Sequence, residues 1–477
     1  MDIKHVVVLM LENRSFDSML GMLYASDNTF DGLTGTEQNI WHKPGGLTQP
    51  VQVWKSPDFT PTAACIPDPD PGELFTDIHM QIQGLGVDGK PNPGPAAMGG
   101  FVDNYMRQPA GNPATDPPPD PGAAMHYFTP DQVPVLSTLA REFGVSDRWH
   151  ASAPCQTWPN RFFAHTGTAN GYINNSPTHF PYTMETVFNR LDDVKQSWRV
   201  YFHDAPQSMT LAKLWNKALT HFGLFELEFA RDAKAGTLPA YSFIEPRYFT
   251  DPIIGKMPND QHPPHDVAYG EALIATVYNA VRNGPGWENT LLIITYDEHG
   301  GCYDHVVPPK ATPPGGANPD GFGFDQFGVR VPAVIISPYV PKGSKIRPAG
   351  TTPFDHTSIF ATLRKLFGAK SLTPRDAAAP DLLPALSAPL RNNCLVSVAV
   401  PAIAVTQAQL ARSAARAPNA MQTGLSAAAM VLPTAGANVG AQIQRLTGST
   451  DPVPAHATVG AAAADLAAHV KAFLGQF

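Results

Sequence analysis

The chain has 477 residues and a mass of 51.2 kDa, enough to bury roughly three-quarters of its unfolded surface. With 43% apolar and 16% charged residues it is neither a disordered polyelectrolyte nor a coiled coil, and no run approaches the ~18 apolar residues of a membrane-crossing helix. A net charge of −8 argues against a nucleic-acid binder but leaves room for a local basic pocket facing an anionic substrate.

At the start of the chain, Met1-Asp2-Ile3-Lys4-His5 enters an apolar run with no basic leader region and no small-residue cleavage site. That favours the cytoplasm, with a removed leader or another export route as alternatives. Val6–Leu11 is continuous and β-branched, the pattern of a strand covered on both faces. Phe16–Leu20 reads as a short helix with Ser15 as N-cap.

Eighteen of the 49 prolines fall between Pro44 and Pro134. Proline removes ladder donors and breaks helices, so this stretch is not a regular strand–helix succession. Its aromatic residues, Trp54, Phe75, Phe101, Tyr105, Tyr127 and Phe128, predict a packed insertion over 44–134 near the active site. Next comes Val145–His150, a strand or an extended approach to Cys155-Gln156-Thr157-Trp158-Pro159-Asn160-Arg161. Pro159 suits a first helical turn, which places Thr157 at a helix N-terminus.

An amphipathic helix is predicted over 265–284, with Asp266 as N-cap and Gly284 as stop. Leu291–Tyr296 is a second buried strand and Val331–Ile336 a third, with Pro332 at a strand start or a less central position. Helices alternating with such strands imply an α/β fold, a mostly parallel sheet with helices on both faces. From Pro401 the composition turns alanine-rich, broken at Pro418, Pro433 and around Pro452-Val453-Pro454, with a helix over 461–473. Residues 401–477 read as a helical appendage docked on a catalytic domain over 1–400, rather than as a catalytic unit.

Ligands of a parallel sheet bind beyond the carboxyl ends of its strands. Two strands end there in Glu12-Asn13 and Asp297-Glu298. Ionised groups so close to a core are costly unless paired or bound to a metal. Together they form an oxygen set suited to Ca²⁺, Mg²⁺ or Mn²⁺ rather than a thiolate zinc site. The alternative is that Glu12 and Asp297 cap helices or pair with Arg14 and Arg161. A hydroxyl at a helix N-terminus, where anions bind, is a candidate nucleophile if a metal lowers its pKa; Thr157 as a helix cap is the plainer alternative. Cys155 lies close by, but a thiolate suits a softer metal. The four cysteines, Cys65, Cys155, Cys302 and Cys394, contain no Cys-x-x-Cys pair and make no zinc-finger framework.

Five blocks, in order, resemble a bacterial phosphoesterase family that contains phospholipases C and an acid phosphatase. They are residues 3–17, Thr157-Trp158-Pro159-Asn160-Arg161, Asp260-Gln261-His262-Pro263-Pro264, residues 296–306 and Phe354-Asp355-His356-Thr357-Ser358. The resemblance implies an alkaline-phosphatase-like fold, one divalent cation and a covalent phospho-enzyme. It assigns Glu12, Asn13, Asp297 and Glu298 as metal ligands and Thr157 as nucleophile and ligand. His262 becomes a phosphate contact or the acid for the leaving group. His356 either binds near the site or orients its neighbours. His299, Asp304 and His305 are expected to support the fold, and His79 to reach in from the insertion.

The implied substrate is a phosphate ester or phospholipid head group, with transient contact at a membrane surface. A secreted or periplasmic place stays open on the resemblance. Two other functions are compatible with the sequence: a sulfatase-like esterase on the same scaffold, although threonine cannot yield the formylglycine aldehyde, and a non-catalytic lipid- or surface-binding module.

Overall fold

Continuous β-branched runs make the centre of the molecule. In the computed structural model, which describes residues 2–475 except 87–89, 93, 110 and 435–455, strand β1 spans His5–Leu11. Every side chain from Val6 to Leu11 is buried. Both faces of the strand are therefore covered, which explains why its sequence does not alternate. A hairpin of β2 (Gln38–His42) and β3 (Thr48–Gln52) forms a separate two-stranded sheet.

Strands β4 (Gly144–Ser146), β5 (Trp198–Phe202), β6 (Phe222–Leu224), β7 (Tyr241–Glu245), β8 (Thr290–Tyr296), β9 (Ala333–Ile336) and β10 (Ser344–Lys345) join β1 in one sheet. Its order is β10-β4-β9-β8-β1-β7-β5-β6. All pairings are parallel except those of β9 with β8 and β4. The α/β class with a mostly parallel sheet is thus the observed one. Strand β9 begins directly after Pro332, where a missing donor breaks no ladder bond. Of the extended 145–150 approach, only Val145 and Ser146 belong to a strand, which starts at Gly144.

The helix expected over 265–284 runs Val267–Asn283, with the Asp266 carboxylate accepting from Ala268 N and Gly284 at its end. It contacts β1, β8 and the helices Pro134–Glu142 and Ala230–Ala235. The helix Thr157–Thr166 contacts both Val187–Asp193 and Thr357–Phe367. The proline-rich stretch carries more regular structure than its composition suggests, with β3 and the helices Phe75–Gln83 and Phe101–Tyr105.

Near the C-terminus, helices Gln407–Ala415 and Ala420–Ala429 both pack on Val459–Leu474. The break expected around Pro452-Val453-Pro454 lies outside the described residues. Gly424 sits where a Cβ would come 2.6 Å from Asn175 O and 2.9 Å from the Trp158 ring, so only glycine lets this helix approach the Thr157 helix so closely.

Candidate active site

Because β1 and β8 are parallel neighbours in register, with Leu11 beside Tyr296, their carboxyl ends deliver Glu12-Asn13 and Asp297-Glu298 to one place. Asn13 adopts φ +57°, a left-handed conformation that asparagine tolerates. That turn aims its backbone N–H at Asp297 Oδ1 (3.0 Å) and its amide Nδ2 at Glu298 Oε1 (2.8 Å). Gly300, at φ +58°, permits the close passage of this loop: a Cβ there would lie 2.2 Å from Asn13 O.

The helix Thr157–Thr166 supplies the third component. Thr157 is its first residue, after Gln156 as cap, and Pro159 lies in the first turn where no helical bond is lost. Asn160 fastens the incoming loop: its Oδ1 accepts from Ala153 N, and its Nδ2 donates to Cys155 O at 2.8 Å. Arg161 places its guanidinium against Asp297 Oδ2 (3.0 Å) and Glu12 Oε1 (3.2 Å), so one of the pairings foreseen as an alternative is real. Arg14 instead donates to the carbonyls of Gln261 and Ile66. The Thr157 hydroxyl lies 3.5 Å from Asn13 Oδ1.

His262 enters from the loop before the long helix. Asp260 holds that loop, accepting from His262 N at 3.1 Å and pairing with the His265 ring at 2.6 Å. His262 Nε2 lies 3.1 Å from Glu73 Oε1 and 3.2 Å from Asn419 Nδ2, and Nδ1 lies 3.7 Å from Asp70. Glu73 also accepts from Asn13 Nδ2 at 2.6 Å, so it joins the His262 loop to the metal-ligand candidates. Thr157, Asn13, His262, Asp297 and Glu298 are each 0% exposed and Glu12 is 1%.

Burial, reinforced by Asp297, raises the pKa of Glu12, and burial with Glu73 and Asp297 raises that of Glu298. Burial alone would lower the pKa of His262, but Asp70 and Glu73 carry it well above the usual value. Glu12 Oε1 receives no hydrogen bond. Four buried carboxylates (Glu12, Glu73, Asp297 and Glu298) thus face Arg161 and His262, a surplus of hard oxygen and negative charge that fits a divalent cation.

His356 touches the site indirectly. Its Nε2 contacts Asp297 O at 2.6 Å, and its Nδ1 accepts from Trp149 Nε1 at 3.3 Å. Burial pushes its pKa down to about 4. His299 contacts Gln81 and Glu298, whereas Asp304 and His305 belong to a separate cluster with Arg330 and Asp17. His79 does not reach the site; its ring contacts Phe75 O. Burial raises the Cys155 pKa well above the usual thiol value, which disfavours a thiolate there.

Several members of the site escape a reading of the sequence. Glu245 ends the buried strand β7 and reaches Arg161 at 3.8 Å; an acid closing an apolar run is the signal already used for Glu12 and Asp297. Glu73 and Asp70 sit in loop sequence without periodicity. Asn419 belongs to the appendage, so that segment meets the candidate catalytic histidine.

The model of the Phosphoesterase family matches residues 3–370. Non-specific phospholipase C1 of Arabidopsis thaliana is 40% identical over 398 residues, covering 79% of this chain and 69% of that protein. Phospholipase C A of Mycobacterium tuberculosis is 28% identical over 424 residues, covering 77% and 73%. Among solved structures, a protein in the alkaline phosphatase superfamily from Vibrio parahaemolyticus aligns with a TM-score of 0.30 and 16% identity, covering 52% of this chain and 64% of that one. A likeness of that degree carries no weight for function.

Proposed function

The chain belongs to the Phosphoesterase family and hydrolyses phosphoric esters, and from that premise we propose a metal-dependent phospholipase C or phosphatase acting through a phosphothreonine on Thr157. The observation that carries this reading is the Thr157 hydroxyl, at the head of a helix and 3.5 Å from Asn13 Oδ1, beside buried carboxylates that Arg161 only partly compensates. Glu12, Asn13, Asp297, Glu298 and Thr157 would hold the cation. When bound, it supplies positive charge that lowers the proton affinity of the Thr157 hydroxyl and offsets the charge of the phosphate.

The residues of the chain do the rest. The N-terminus of the Thr157 helix favours the anionic group through its dipole. Thr157 Oγ1, its proton given up to water beforehand, forms a bond to phosphorus as the bond to the alcohol breaks, and His262 gives its proton to the departing oxygen. Water then attacks the phosphothreonine, neutral His262 takes the water proton, and the P–Oγ bond breaks. Glu73 keeps His262 oriented and charged before the first step. His356 is a positioning residue that fixes the Asp297 backbone. Catalysis on this account is positioning and charge stabilisation, as phosphoryl transfer requires.

The test is an assay of p-nitrophenyl phosphate, p-nitrophenyl phosphorylcholine and p-nitrophenyl sulfate side by side, with mass spectrometry of acid-quenched enzyme. Turnover of a phosphate ester with phosphate on Thr157 is expected. Phosphate on another residue, or turnover of the sulfate alone, refutes the reading.

A further inference from the structure

A general acid must be held at one place relative to the oxygen it protonates, yet His262 stands in a loop rather than on a helix or strand. The residue before it shows how that loop is held. Gln261 is fully buried and adopts φ +69°, a left-handed conformation that is strained for a residue with a side chain and free for glycine. On one side of it, the Asp260 carbonyl accepts from Glu12 N at 2.8 Å. On the other, the His262 ring faces Glu73. The turn at Gln261 therefore lies between two residues that both border the candidate site.

Three elements grip this glutamine. Its carbonyl accepts from Arg14 Nε at 2.7 Å, its Nε2 donates to Val267 O at 2.7 Å, and its Oε1 accepts from the Tyr296 hydroxyl. Arg14 also donates to Ile66 O at 2.6 Å, on the segment leading to Asp70, which faces the same histidine ring. Val267 opens the long helix, whereas Tyr296 ends β8 and directly precedes Asp297. One side chain thus ties the His262 loop to the strand end that carries two candidate cation ligands. Within the helix, Gly270 leaves the room this requires: a Cβ there would fall 2.2 Å from Gln261 Cγ and 2.5 Å from its Cδ. A strained backbone whose side-chain amide is bonded at both ends is over-determined, as a group that must point one way requires.

We infer that Gln261 is a positioning residue: through Tyr296, Val267 and Arg14 it fixes the direction from which the His262 ring meets the oxygen leaving phosphorus. This rests on the phosphoesterase reading, with His262 as proton donor, and goes beyond it by assigning the donor's orientation to a residue outside the substrate and cation contacts.

The experiment exploits the basicity of the leaving oxygen, since p-nitrophenolate departs readily without a proton and phenolate does not. The full chain is assayed on the p-nitrophenyl and phenyl esters of phosphate or phosphorylcholine, whichever it turns over. The quantity compared is kcat/KM, which reports the steps through formation of the phosphothreonine and excludes its hydrolysis. In His262→Asn the ratio of phenyl to p-nitrophenyl kcat/KM is expected to fall about 100-fold or more, the scale of a lost general acid. Gln261→Leu, which keeps the bulk and loses both amide bonds, should lower it about 10–100-fold, the scale of a misplaced catalytic group. Tyr296→Phe, which removes one hydroxyl, and Gly270→Ala, which crowds the glutamine while favouring the helix itself, should each lower it about tenfold. A merely structural role would depress both esters alike and leave the ratio unmoved. Unmoved ratios in Tyr296→Phe and Gly270→Ala overturn the proposal, and these two decide it if Gln261→Leu does not fold. A fall in His262→Asn with no change in the other three overturns it while leaving the phosphoesterase reading intact. An unmoved ratio in His262→Asn overturns it together with the role of His262 as proton donor, and no turnover of any of these esters overturns the whole reading.

Discussion

Two buried carboxylate clusters lie beside the sheet, each built around one arginine, and they are put together differently. In the first, Arg330 pairs with Asp17 and Asp304 at 2.9 Å, and every oxygen of those two carboxylates has a donor, from Arg330, His305, Val306 N or Asp17 N. In the second, Arg161 serves Asp297 and Glu12 and stands 3.8 Å from Glu245, while Glu12 Oε1 accepts no hydrogen bond and Arg161 NH1 donates none. A satisfied cluster is a brace. A cluster with excess negative charge and orphaned atoms fits the cation proposed for it, and on that proposal the balance of partners, not burial or acidity, separates fold from function.

The sharpest way to break this contrast is Thr157→Ala. Loss of the nucleophile should lower turnover of a soluble phosphate ester on the order of 10⁴-fold or more. The melting temperature should barely move, because the hydroxyl makes only the 3.5 Å approach to Asn13. Retained activity would place the chemistry elsewhere. Close behind in size is removal of metal. Chelation should abolish activity and Ca²⁺, Mg²⁺ or Mn²⁺ restore it, while elemental analysis of Glu298→Gln should show the bound ion lost. Full activity after verified removal would leave the charge surplus of the second cluster without a purpose.

Much of this was legible before any coordinates. The runs Val6–Leu11 and Leu291–Tyr296 announce central strands because a two-sided core demands continuous apolar sequence, and their acidic ends mark where ligands bind. Helix caps such as Asp266 and Gly284 are local chemistry and read directly. Glu73 was not legible, since its role comes from an irregular loop whose path depends on packing of the Phe75–Gln83 helix rather than on any period. Asn419 was hidden for a related reason: an alanine-rich helix carries little record of what it docks against. Both residues reach His262 from segments distant in sequence, and contacts of that kind leave no short-range signature.

Disrupting the satisfied cluster should act on stability instead of chemistry. Arg330→Met strands Asp17 and Asp304 and should cost about 3–5 kcal/mol in chemical denaturation, with metal content unchanged in the folded fraction. In chelated protein, Glu12→Gln should do the reverse and raise the melting temperature, because it removes a surplus charge. A destabilising Glu12→Gln would show that Arg161 fully compensates that acid. Smaller again is Glu73→Gln, expected to lower kcat by about 10–100-fold, the range for groups that orient a site rather than react. Rescue by Glu73→Asp but not by Glu73→Ala would separate carboxylate orientation from packing.

The last prediction concerns pH and the satisfied cluster alone. Burial would lower the His305 pKa, but hydrogen bonds to Asp17 and Asp31 carry it up to about 10. A histidine in the unfolded chain titrates near ~6.5. Because the folded value is the higher one, the stabilisation from His305 is complete below about 6.5 and is lost as pH rises through about 10. The melting-temperature gap between the unaltered protein and His305→Gln should therefore be widest near pH 6 and close towards pH 10, and measuring the gap cancels the lysines and tyrosines that titrate in the same range. A gap that instead widens with pH would mean the imidazole is neutral in the fold, and the first cluster would then hold an uncompensated carboxylate of its own, erasing the distinction from the second.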